Sequence, residues 1–186
     1  MTLDEVRVQI DVIDKQVKPL FLDRMACSYE VAMAKSKTGG DVYVPSREKI
    51  VIEGRTSDVD PAYKKEYAAF LRLMMSVGRR YQYGILTDMQ EKVLSEALAA
   101  AGLSADTPHT LVDISFECDR EDSNVSLFLD MAKINEIVID AMSLECVGDK
   151  QLVKMTLVGN AVEGDCKRLL TQIGKEAQNF KIIALR

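Results

Sequence analysis

The chain has 186 residues, 47% hydrophobic and 28% charged, with a formal net charge of −5. That is enough apolar material for one sizeable core or two small ones, and the acidic balance argues against binding nucleic acid through its phosphates. No apolar run approaches the roughly 18 residues that would span a bilayer, and no block of like charge marks a disordered tail.

The opening Met1-Thr2-Leu3-Asp4-Glu5 is acidic and lacks the apolar core of a signal peptide, so a cytoplasmic protein with no membrane partner is expected. Cys27, Cys118, Cys146 and Cys166 form no CxxC pair and no zinc-ligand spacing. They are expected to be reduced and mostly buried, with no metal. His109 stands alone after Pro108 and is expected to be structural or solvated. The charge divides unevenly: residues 1–86 carry 14 Lys and Arg against 12 Asp and Glu, and residues 87–186 carry 10 against 17. The cations of the first part therefore serve something local.

A long helix is predicted from Thr2 to Lys37. Leu3, Val6, Ile10, Ile13, Val17, Leu20, Cys27, Val31 and Ala34 step by three and four along it. Its stripe is too long for a region of about 85 residues to cover and calls for a second copy of the chain. Pro19 lies inside it, and a kink without a break is expected near Lys15–Pro19. Thr38-Gly39-Gly40-Asp41 ends the helix, and Val42–Pro45 is extended. Ser46 reads as the N-cap of a second helix over Arg47–Gly54. Asp60 and Pro61 read as N-cap and first residue of a third, running to Tyr83. Thr87–Ala101 is helical and leads through Leu103–His109 to a region of different period. There Thr110–Cys118 alternates as a strand. Val125–Asn135 is a helix, Ile137–Cys146 and Leu152–Val158 are strands around Gly148-Asp149, Asp165–Ala177 is a helix, and Lys181–Leu185 is a final strand. The order βαββαβ is the ferredoxin-like plan.

Arg24 interrupts the apolar stripe of the first helix. An arginine there is either paired with an acid on a neighbouring helix, or reaches the surface, or binds something. Lys35 follows eleven residues later, on nearly the same face, and Arg47 opens the next helix. Together the three describe a pocket for a small molecule with more than one carboxylate, because Arg binds carboxylates through paired hydrogen bonds.

Residues 3–83 resemble the all-helical (AroQ-type) class of chorismate mutases. The resemblance rests on Leu3-Asp4-Glu5-Val6-Arg7, Ile10-Asp11-Val12-Ile13-Asp14, Asp23-Arg24-Met25, Val31-Ala32-Met33-Ala34-Lys35, Val42-Tyr43-Val44-Pro45-Ser46-Arg47-Glu48 and Arg79-Arg80-Tyr81-Gln82. It implies a three-helix domain in an intertwined dimer. It also implies rearrangement of chorismate to prephenate, in phenylalanine and tyrosine biosynthesis, without covalent catalysis, metal or cofactor. Carried over by position, Arg24 and Arg47 would bind substrate carboxylates, and Arg7 would enter the pocket of the other subunit. Lys35 and Gln82 would donate to the ether oxygen, and Glu48 would accept from the ring hydroxyl. Val44 stands where some members have an acid, and Gly78 where a serine often meets a carboxylate. Pro19 is also unusual for the family.

The segment 109–186 resembles an ACT-type domain in order and length, which implies side-by-side pairing and an aromatic amino-acid effector, phenylalanine or tyrosine. The candidate effector contacts are Asp119, Ser123, Asn124 and Val125. A domain that only assembles or stabilises the oligomer is the alternative. The expected organisation is thus two domains, 1–86 all-α and 109–186 α+β, joined by a helical linker over 87–108, in a homodimer or higher oligomer. Two other functions stay open: an isochorismate pyruvate-lyase of the same fold, and a non-catalytic amino-acid sensor or helical interaction module.

Overall fold

The first helix, α1, spans Leu3–Thr38 in a computed structural model that describes residues 1–186. A capping box starts it: the Glu5 amide donates to the Thr2 hydroxyl, and the Thr2 amide donates to the Glu5 carboxylate. Gly39, at φ 71°, takes the left-handed conformation that ends it. The helix is continuous through Pro19 and is about 54 Å long. Only Ser28 and Ala32 of its 36 residues are buried. The predicted stripe is open to solvent in the single chain, with Ile13 56% and Leu20 68% exposed.

Helix α2 covers Pro45–Arg55 and α3 covers Lys64–Ile85. Both starts differ from expectation. Val44, not Ser46, is the N-cap of α2, because Pro45 already fits the first helical turn with its fixed φ and its missing N–H. Asp60 and Pro61 do not open α3. The Asp60 carboxylate accepts from the Ala62 amide at 2.8 Å and its carbonyl accepts from the Tyr63 amide at 2.9 Å, closing a separate turn ahead of the helix. Helix α4, Thr87–Ala101, follows α3 after the single residue Leu86 and ends at left-handed Gly102. Its Leu94 and Leu98 belong to the core of the sheet that follows.

That sheet consists of β1 (Leu111–Asp119), β2 (Ile139–Val147), β3 (Lys150–Val158) and β4 (Gln178–Leu185). Helix α5 (Val125–Ile134) follows β1, and α6 (Gly164–Glu176) follows β3. The strand order is β2-β3-β1-β4, with every neighbour antiparallel, so the ferredoxin-like plan is present. The register is held by the buried face of the pleat. Ile114 pairs Met155 and Phe116 pairs Val153, and a slip of one residue would turn all four outward. Both helices cover that face: Phe128 of α5 meets Phe116 edge to face at 5.3 Å, and Leu169, Leu170 and Ile173 of α6 are buried in the same cluster.

His109 has a structural place, accepting from the Ala161 amide at Nε2 and meeting the Thr107 carbonyl at Nδ1. The cysteines depart from the expectation of mostly buried thiols. Cys118 and Cys166 are buried, but Cys27 lies on the uncovered face of α1 and Cys146 on the exposed edge strand β2. No helix is long and apolar enough to cross a membrane.

Candidate functional site

Helix α3 lies between the two halves of the molecule and positions the site. One side packs on α1, and another meets α5 and α6. Its buried polar positions, Ser76, Arg79 and Gln82, recur at three-residue steps, as one face of a helix requires. Opposite them, α1 presents Arg24, Ser28 and Lys35, and the turn into α2 adds Val42, Val44, Arg47 and Glu48.

These elements enclose a cavity of about 160 Å³. Seven of the eight residues assigned to substrate or catalysis from the sequence line it: Arg24, Lys35, Val44, Arg47, Glu48, Gly78 and Gln82. The eighth, Arg7, does not. It is solvent-exposed near the start of α1 and pairs only with Asp4, at 3.1 Å. Seventeen residues of helix, about 25 Å, separate it from Arg24, so its own cavity is out of reach.

Three of the cations at the cavity have no carboxylate within ion-pair distance: Arg24, Lys35 and Arg47 take part in none of the molecule's salt bridges. Arg24 Nη1 donates to the Met74 carbonyl at 3.1 Å, and Lys35 Nζ to the Val42 carbonyl at 3.2 Å. The expected alternative of an ion pair between Arg24 and an acid on a neighbouring helix is therefore not what the structure shows. Burial, then the charge of Arg55, holds the Arg24 guanidinium below its ordinary pKa. Burial also lowers Lys35, opposed by Asp41 and reinforced by Arg47 and Arg79. A cation half out of water and unpaired favours an anion beside it. Gln82 Oε1 is buried without a hydrogen-bond partner, and an orphaned polar atom of that kind costs about 1–3 kcal/mol.

Arg79 is the residue that sequence reasoning missed. It lines the same cavity, with its side chain only 4% exposed. Its Nε and Nη2 donate to the two oxygens of Glu176, at 2.7 and 2.9 Å, and its Nη1 donates to Glu48. The Tyr43 ring lies 4.7 Å from its Cζ. Burial alone would lower the pKa of Arg79. The hydrogen bonds and charge of Glu176, joined by the charge of Glu48, reverse that and raise it. Its signal in the sequence was the stretch Arg79-Arg80-Tyr81-Gln82, which carries the resemblance but assigns a role to Gln82 alone.

The candidate effector residues do not form one site. Ser123 and Asn124 line a wide groove between α2, α3 and the loop before α5, whereas Asp119 and Val125 do not. Asp119 pairs with Lys150, and Val125 is buried in the core of the sheet domain. Asn124 Nδ2 donates to the Tyr43 hydroxyl at 2.9 Å, which ties this loop to the helical half.

Compared with known families, residues 6–83 match the model described as chorismate mutase type II. No curated protein matches the chain.

Proposed function

We propose, from the match of residues 6–83 to the family model described as chorismate mutase type II, that the chain rearranges chorismate to prephenate. The observation that carries this reading is the set of three unpaired cations, Arg24, Lys35 and Arg47, around one cavity that Gln82 also lines. A dicarboxylate answers that charge. Arg24 and Arg47 grip its carboxylates and hold the chain folded over the ring, which removes the entropic part of the barrier. Lys35 and Gln82 stand ready for the negative charge that grows on the ether oxygen as its C–O bond breaks. A preorganised donor in that position contributes roughly 3–4 kcal/mol to the transition state. Glu48 accepts from the ring hydroxyl. No nucleophile is needed, because the new C–C bond and the broken C–O bond belong to one molecule.

In this reading the working unit is a homodimer. A second copy covers the exposed stripe of α1 and brings its Arg7 to the cavity, where it adds to the charge that holds the carboxylates. The C-terminal domain is read as ACT-type, with an aromatic amino acid as its ligand.

The test is an absorbance assay of chorismate consumption by the full chain, with isochorismate as the second substrate. Consumption of chorismate with formation of prephenate is the expected result. Release of pyruvate from isochorismate alone would replace the mutase by a lyase, and no reaction with either would end both. Repeating the assay with phenylalanine, tyrosine and tryptophan tests the effector: inhibition or activation by one of them is expected.

A further inference from the structure

The last residue of α6, Glu176, belongs to the C-terminal domain, yet its carboxylate is joined to the wall of the cavity in the helical half. Its side chain is fully buried. Both oxygens are taken by one edge of the Arg79 guanidinium. A two-point contact of this kind fixes the guanidinium plane as well as its position, and the Tyr43 ring covers one face of that plane. With the plane set, Nη1 can point in only one direction, and the group it meets there is Glu48. Gln172, one turn before Glu176, donates to Glu176 Oε1 at 3.0 Å and to Ser76 Oγ at 3.2 Å, so the carboxylate is itself anchored to α3.

The charges point the same way. Arg79 is the fourth cation at the cavity. Were Glu48 its only partner, the two would neutralise one another and Glu48 would lose its value as an acceptor. Glu176 supplies the neutralising charge from behind, which leaves Glu48 anionic in effect and aimed into the cavity.

We propose that Glu176 is a positioning residue of the substrate site, acting through Arg79 to orient Glu48 and leave its charge free for the substrate hydroxyl. The inference rests on the mutase reading. It makes the α+β domain a structural part of the active site, independent of any effector.

The test uses steady-state kinetics of the full chain, with thermal melts to confirm folding, for wild type, Glu176→Gln, Glu48→Gln and the double variant. Glu176→Gln keeps the shape of the side chain and removes its charge. The expected result is a fall in kcat of about tenfold or more with KM within about twofold, since a misplaced group near the reacting atoms loses rate steeply. In the Glu48→Gln background the same substitution has no further effect on kcat, because its route to the substrate has already been cut. A bridge that only joins the domains predicts otherwise: unchanged kcat, or an equal loss in both backgrounds, and either result overturns the proposal while leaving the mutase reading intact. If Glu176→Gln does not fold, Glu176→Asp is read in its place. That variant keeps the charge and breaks the two-point contact, and an undiminished kcat there also overturns the proposal. Wild-type protein without turnover of chorismate ends the mutase reading and this inference together.

Discussion

The two halves of the chain dispose of their apolar residues in opposite ways. The α+β half closes a core of its own: nineteen buried side chains form one cluster, to which α4 contributes Leu94 and Leu98. The helical half has a buried cluster of only four residues, Ala32, Val42, Tyr83 and Leu86, and leaves the apolar stripe of its longest helix in water. A sheet domain can be finished within one chain because its helices fold back on the same face. A single 54 Å helix cannot be finished that way, because the shorter α2 and α3 reach only its C-terminal part. The helical half is therefore the part left with uncovered apolar surface, which the proposed second copy would cover, and the cation cavity sits at the end of α1 that α2 and α3 do cover.

The strongest way to break this contrast is to charge the stripe. Ile13→Glu with Val17→Glu places two carboxylates where a second copy would pack. Sedimentation velocity is expected to show a monomer, and chorismate turnover to fall by three orders of magnitude or more, on the order of 4 kcal/mol or above, because Arg7 then has no neighbouring cavity to enter. The sheet domain, which buries its own core, keeps its β signal in circular dichroism. A dimer of normal activity from this variant would remove the second copy from the argument.

The seam between the halves comes next. Arg79→Met or Glu176→Met alone leaves one buried charge without its partner, and such changes cost about 3–5 kcal/mol. Replacing both with Met is expected to cost less than either single change, because no uncompensated charge remains on that pair. Urea midpoints of the four proteins measure this directly. Equal or additive losses would mean that the pair is not as desolvated as its geometry implies.

Much of this arrangement was legible in the sequence, and the exceptions share a cause. The βαββαβ order could be read because strand alternation and helical periodicity are local. The gathering of Arg24, Lys35, Arg47, Glu48 and Gln82 followed from the family resemblance, and the cavity places all five side by side. What could not be read depends on long-range partners. Arg79 was part of the stretch Arg79-Arg80-Tyr81-Gln82 but had no role assigned, because the carboxylate that keeps it buried lies 97 residues away. Ser46 and Asp60 had the right chemistry for N-caps, but Pro45 and an Asx turn had prior claim on the backbone at those two places.

The cations of the cavity give the third effect. Lys35→Ala and Arg24→Ala are expected to lose about 10²–10³ in kcat/KM, the usual consequence of removing one preorganised donor, while remaining folded. The pH dependence separates catalysis from stability. In the proposed mechanism Lys35 acts as a charged donor, and burial lowers its pKa below the ordinary 10.5. Activity therefore falls as pH rises through the lowered value. Stability moves the other way over the same window: between the folded pKa and 10.5 the unfolded chain holds the proton more tightly, so this group's contribution to stability rises with pH. A rate that falls only where the fold melts would contradict the assignment.

The smallest change sharpens the comparison from within α3. Gly78 is buried in the helix interior, where glycine is about 0.5–1 kcal/mol less favourable than alanine. Alanine is nevertheless not free to replace it. A Cβ at this position would lie 3.1 Å from Arg24 Nη1 and 3.1 Å from Ser28 Oγ. Both are the ends of side chains that can give way by a few tenths of an ångström, so the helix should tolerate the methyl group and thermal melts should show stability unchanged or raised by up to about 1 kcal/mol. What moves is the Arg24 guanidinium, the group proposed to hold a substrate carboxylate. Gly78→Ala is expected to raise KM by about three- to tenfold, or roughly 0.7–1.4 kcal/mol, with kcat nearly preserved, since a looser carboxylate contact weakens ground and transition state alike. An unchanged KM would show that the close approach of α1 to α3 at Gly78 serves packing alone and leaves Arg24 its freedom.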